Sequence, residues 1–187
     1  MTRRTALSTL LVAAAAVAVP AFAAPLVSGL KLGEAVTPFH PKHLAGPLAG
    51  TTNCFPCTFQ DRPQVQAWVN GADKATVVAF AKTLATEMKD HEKQEFKALV
   101  VVLTDKANAE KAENMVREAT KVPGTEGVGL AVLLKTDEAV KNYSINTDAS
   151  IKNTVFVYKK WTVEQKFVNL KTSETQKLVA AIDGITK

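Results

Sequence analysis

Apolar positions fall into regular periods only after residue 63. Val65, Ala67 and Val69 alternate as along a short β-strand, and Asn70-Gly71 then turns the chain. Asp73 is a plausible N-cap for a helix reaching about Asp90, with Val77, Ala81, Leu84, Ala85 and Met88 on one face. Ala98–Leu103 is a continuous apolar run, the mark of a strand covered on both sides. Thr104 or Asp105 would cap a second helix to about Lys121, apolar at Ala112, Met115, Val116 and Ala119. After Val122-Pro123-Gly124, Val128–Leu134 reads as a third buried strand, and a short helix is expected near Asp137–Tyr143. Asn153–Tyr158 and Val163–Val168 read as a hairpin turning around Lys160-Trp161. A last helix is expected over Ser173–Ile185, opened by a Ser173/Gln176 capping box.

Residues 24–63 show neither period. Six of the eight prolines lie there, with glycines at 29, 33, 46 and 50, so an irregular segment is expected. It carries both cysteines and two of the three histidines, and long irregular segments with reactive residue types are more often functional than filler.

The first 23 residues have the parts of a cleavable export signal: Arg3 and Arg4, an uncharged run from Ala6 to Val19, Pro20, and the triplet Ala21-Phe22-Ala23. The apolar run falls short of the roughly 20 residues that span a bilayer, so cleavage after Ala23 is expected rather than anchoring. The Arg pair is compatible with general or twin-arginine export. Cleavage leaves residues 24–187 and removes two of the 23 basic residues, so the net charge falls from +5 to +3. That mild excess has no basic block interleaved with aromatics, which argues against nucleic-acid binding, and no membrane contact is expected after cleavage. The expected location is periplasmic or secreted, where a cysteine pair persists as a disulfide.

Removing the signal leaves the irregular segment at 24–63 and one domain at 64–187, ordered βαβαβ, short helix, β-hairpin, helix. Right-handed crossovers place helices on both faces of a mixed central sheet. This order resembles the thioredoxin fold.

The sharpest motif is Cys54-Phe55-Pro56-Cys57. Its sulfurs are close enough for a disulfide or for one metal ion. The motif is similar to the active-site C-x-x-C of thioredoxin-like proteins, where proline before the second cysteine is common. By that resemblance Cys54 is the nucleophile and Cys57 resolves the mixed disulfide, with protein thiols or disulfides as partners and no cofactor. In thioredoxins the motif follows a strand and opens a helix; here it precedes the strand at 64–69, and Asn70-Gly71-Ala72 occupies the usual place. Arg62-Pro63 leaves room for one helical turn, so Arg62 is an alternative source of positive potential. The cis-proline of thioredoxins has no counterpart in Ile151–Val155. The stretch PFHPKHLAG…NCFPCTFQDRP resembles exported bacterial thioredoxin-like proteins that carry a cysteine pair in an N-terminal loop.

Two alternatives stand beside the redox reading. One is a structural disulfide, although closing so short a loop stabilises by only about 2 kcal/mol. The other is a metal site of His40, His43, Cys54 and Cys57, a donor set that suits tetrahedral zinc. His91, within Lys89–Lys93, reads as solvated. No Ser-His-Asp arrangement is arguable, and Thr51-Thr52-Asn53-Cys54 shares only its spacing with the peroxidatic motif of peroxiredoxins.

Overall fold

The computed structural model describes residues 26–187, and the export signal expected at 1–23 lies outside the described residues. One six-stranded sheet organises the chain, in the order β1-β4-β3-β2-β5-β6. The strands are β1 (Lys42–Ala45), β2 (Gln64–Asn70), β3 (Lys97–Thr104), β4 (Gly129–Leu134), β5 (Asn153–Lys159) and β6 (Thr162–Val168). β2, β3 and β4 are parallel; β1, β5 and β6 run antiparallel to their neighbours. The helices are α1 (Phe55–Phe59), α2 (Lys74–Asp90), α3 (Ala109–Thr120), α4 (Glu138–Asn142) and α5 (Thr175–Thr186).

Strand alternation sorts the core into two layers. Val65, Ala67, Val69, Val100, Val102 and Val155 face α2, α3 and α5, whose Phe80, Leu84, Val116, Leu178 and Ile182 close over them. Trp68, Leu99, Val101, Leu103 and Phe156 face the other way, under α1, α4 and the irregular segment, with Phe39, Phe55 and Tyr143. This is the expected mixed sheet with helices on both faces.

Three local expectations change. Residues 42–45 form an edge strand, although Lys-His-Leu-Ala shows no apolar alternation, because buried His43 takes an interior position. The Ser173/Gln176 capping box is absent: a 3-10 turn at Thr172–Glu174 leads into α5, and Glu174 sits at the N-cap without a side-chain capping bond. A 3-10 turn at Lys106–Asn108 likewise delays α3 to Ala109.

The polar alternates of β2 are buried as well. Gln64 and Gln66 are wholly inaccessible. Gln66 Nε2 donates to the Tyr158 hydroxyl (2.7 Å), which donates to Gln64 Oε1 (2.8 Å), while Trp68 Nε1 donates to Gln66 Oε1 (3.2 Å). Buried amides persist because these bonds replace water.

Candidate functional site

Cys54 and Cys57 are joined as a disulfide, with Cα atoms 5.2 Å apart. The loop that delivers them is held by β1. His43 N–H donates to Thr51 O (3.0 Å), and Gly50 N–H donates to His43 O (3.0 Å). The His43 imidazole Nε2–H donates to Asn53 O (2.9 Å), and His40 Nδ1–H donates to Thr52 O (3.0 Å). Both histidines therefore hold the two carbonyls preceding Cys54. Gly46 makes the turn possible. Its φ is +81°, and a Cβ there would meet the Gly129 backbone at 2.7 Å.

Cys54 is the N-cap of α1, and its Sγ accepts from Cys57 N–H at 3.2 Å. Pro56 fits the first turn, where its missing N–H costs nothing. Thr58 N–H and Oγ1–H both donate to Cys54 O (3.0 and 2.9 Å). The helix ends at Gln60, at φ +48°. Phe55 and Phe59 pack edge-to-face at 4.7 Å, and the His43 ring lies over Phe55. The expected limit of about one helical turn is met.

The two cysteines differ in access. Cys54 is 6% exposed, whereas Cys57 faces solvent. Arg62 is engaged with other partners. Its guanidinium pairs with Glu95 (3.1 Å) and donates to Phe59 O (3.3 Å) at the far end of α1.

His40, His43, Cys54 and Cys57 do not converge as ligands in this disulfide-bonded state. Burial pushes the His43 pKa down, the Asn53 bond opposing it only in part. With Nε2–H committed to Asn53, the buried Nδ1 has no partner. An open cleft of about 590 Å³ adjoins this loop, bounded by Lys42, His43, Asn53 and Arg117.

The disulfide loop leads into the start of β2, whereas the thioredoxin motif that the sequence resembles follows a strand's finish. α1 runs into the start of β2 at Gln64, while Thr154 pairs with Trp68 towards its finish. That span of strand is about 13 Å. The finish of β2 is closed by its own contacts. Asn70 Nδ2 donates to the carbonyls of Thr147, Asp148 and Ile151, each at 3.0 Å. Thr154 is 1% exposed and bonded to Ser28 at 2.6 Å, while Asn153 exchanges bonds with the Leu170 backbone. The irregular segment thus fills the groove beside β5.

Sequence reading missed the environment of His91. It lies between Glu87 and Asp183 rather than in open solvent. The i, i+4 spacing of Glu87 and His91 was the available signal; Asp183 comes from a distant helix.

No protein-family model matches this chain, and no curated protein matches it in sequence. Solved structures do share its architecture. A candidate thiol:disulfide interchange protein DsbE from Chlorobium tepidum superposes with a TM-score of 0.63 at 13% identity, over 84% of this chain and 99% of that one. The thioredoxin domain of a thiol-disulfide oxidoreductase from Bacteroides vulgatus gives 0.59 at 12% identity, over 83% and 99%. Peroxiredoxin Q of Xanthomonas campestris gives 0.54 at 14%, over 86% and 100%. The chain has the thioredoxin fold.

Proposed function

We propose that this protein is an exported thiol–disulfide oxidoreductase acting on protein thiols or disulfides through Cys54 and Cys57. The observation that carries the reading is the asymmetry of the pair: an exposed Cys57 bonded to a shielded Cys54 whose sulfur receives the Cys57 N–H. A substrate thiolate attacks Cys57 Sγ and forms a mixed disulfide. The Cys54–Cys57 bond breaks, and its electron pair leaves on Cys54, where the N–H stabilises the thiolate. A second substrate thiolate then attacks the substrate sulfur of the mixed disulfide and releases Cys57. Substrate leaves as a disulfide and the protein as a dithiol. The reverse sequence reduces a substrate.

In this proposal Cys57 carries the mixed disulfide and Cys54 resolves it, the reverse of the roles that the family resemblance implies, and the unequal exposures support that order. The exchange works without the family's groove, since β5 is covered by the irregular segment. Export is part of the proposal and rests on residues 1–23; among the described residues no helix is long and apolar enough to cross a membrane.

The competing reading is a structural clip, favoured by the burial of Cys54 and the hydrogen bonds fixing its loop. An insulin-reduction assay with dithiothreitol separates them. The oxidoreductase reading expects acceleration that is lost in Cys57→Ser and in Cys54→Ser. A wild-type rate equal to background, or one unchanged by either substitution, supports the clip.

A further inference from the structure

In the layer opposite to α1, the C-terminal ends of two helices converge. Glu87 lies in the last turn of α2 and His91 is its C-cap, while Asp183 lies in the last turn of α5. His91 Nε2 is 3.1 Å from Asp183 Oδ1 and 3.5 Å from Glu87 Oε2, and the three ligand atoms all lie within 4.8 Å of one another. A tetrahedral ion with bonds of about 2.0 Å spaces neighbouring donors by about 3.3 Å, between those two separations.

The Glu87 side chain is only 8% exposed, and among the described residues it accepts no hydrogen bond closer than the 3.5 Å approach of the imidazole. The charged groups acting on it are His91, Asp183 and Asp90. Two carboxylates thus meet at one imidazole, with the negative ends of two helix dipoles beneath them. One imidazole Nε2–H is shared between Asp183 at 3.1 Å and Glu87 at 3.5 Å, so Glu87 receives only the long arm of the bond. Burial above all pushes the Glu87 carboxyl above its ordinary range, with His91 opposing the rise and Asp183 and Asp90 adding to it. A cavity of about 330 Å³ opens over the cluster between His91, Gln94, Asp183, Thr186 and Lys187, leaving room for solvent ligands and a path of entry.

We propose that Glu87, His91 and Asp183 form a divalent transition-metal site, completed by solvent, with zinc the ion best suited to its donors and spacing. One imidazole with two carboxylates is a borderline donor set appropriate to zinc. The ion ties the end of α2 to α5 on one face of the sheet.

The test is calorimetric titration of the oxidised full chain with zinc chloride, so that the disulfide keeps both sulfurs out of the measurement. The wild type is expected to bind one equivalent below millimolar zinc, with a rise in Tm. His91→Ala and the exposed-site variant Asp183→Asn should each weaken binding at least about tenfold. His43→Ala should leave it unchanged, with circular dichroism verifying the fold of each variant. No binding below millimolar zinc, or binding that survives His91→Ala in the folded protein, overturns the proposal. Binding that is lost in His43→Ala and kept in Asp183→Asn also overturns it.

Discussion

His43 and Asn53 are joined by a 2.9 Å hydrogen bond in which the imidazole Nε2–H donates to the carbonyl just ahead of Cys54. The bond makes an edge-strand histidine the support of the disulfide loop. With His43 backbone bonds to Gly50 and Thr51, it fixes the loop on both sides of its turn. His43→Ala removes this support and the ring over Phe55. A stability loss of about 2–3 kcal/mol is expected in the oxidised protein, measured by urea unfolding.

The same histidine produces a pH signature. Its folded pKa lies below the unfolded value of 6.5. Between those values the unfolded chain holds the proton and the folded one does not, so stability falls as pH drops from about 6.5 through the depressed pKa. Glu87 has a raised pKa and acts in the opposite sense, so the informative quantity is the difference between wild type and His43→Gln. That difference should shrink on acidification, read from unfolding curves at successive pH values. A constant difference would show that the burial of His43 does not govern its protonation.

The turn before the loop depends on Gly46. Alanine there meets both a positive φ of 81° and the Gly129 backbone. Gly46→Ala is expected to destabilise by about 1–3 kcal/mol, seen as a lower Tm, whereas Gly50→Ala, with open space around its Cβ, carries only the backbone cost.

Tyr158→Phe tests the buried network. Removing the hydroxyl leaves Gln64 Oε1 without its donor and Gln66 Nε2 without its acceptor. A loss of about 1–3 kcal/mol is expected from denaturant unfolding. Because Gln64 Nε2 also donates to Gln60 O at the end of α1 (2.9 Å), faster amide exchange in α1 should accompany it.

Much of this architecture was legible in apolar periodicity. The run Ala98–Leu103 announced a strand covered on both sides, and Val77 through Met88 announced a helix with one buried face. β1 was not legible, because its pairing with β4 is long-range and its buried side chain is a histidine. The buried bonds of Gln64 and Gln66 were not legible, since nothing local reveals that Tyr158, some ninety positions away, supplies them. At the candidate site, C-x-x-C spacing identified the pair and Arg62-Pro63 limited its helix. The unequal exposure of the two cysteines was invisible, for it depends on long-range contacts that seat their loop, with His43 over Phe55 and Phe55 against Gly129.

That unequal exposure predicts unequal chemistry. After reduction, limiting iodoacetamide should label Cys57 before Cys54, as mapped by peptide mass spectrometry. Faster labelling of Cys54 would reverse the proposed roles.

The most direct test of the central proposal is the reduction potential of the pair. The oxidised protein is equilibrated with glutathione buffers of defined ratio, quenched by alkylation and weighed for free thiols. An exchanging pair should titrate at a potential above about −300 mV, with a mixed glutathione adduct trapped on Cys57 in Cys54→Ser. A pair that stays fully disulfide-bonded in the most reducing buffers, with a potential below that value, would contradict the account and leave Cys54–Cys57 as a structural clip.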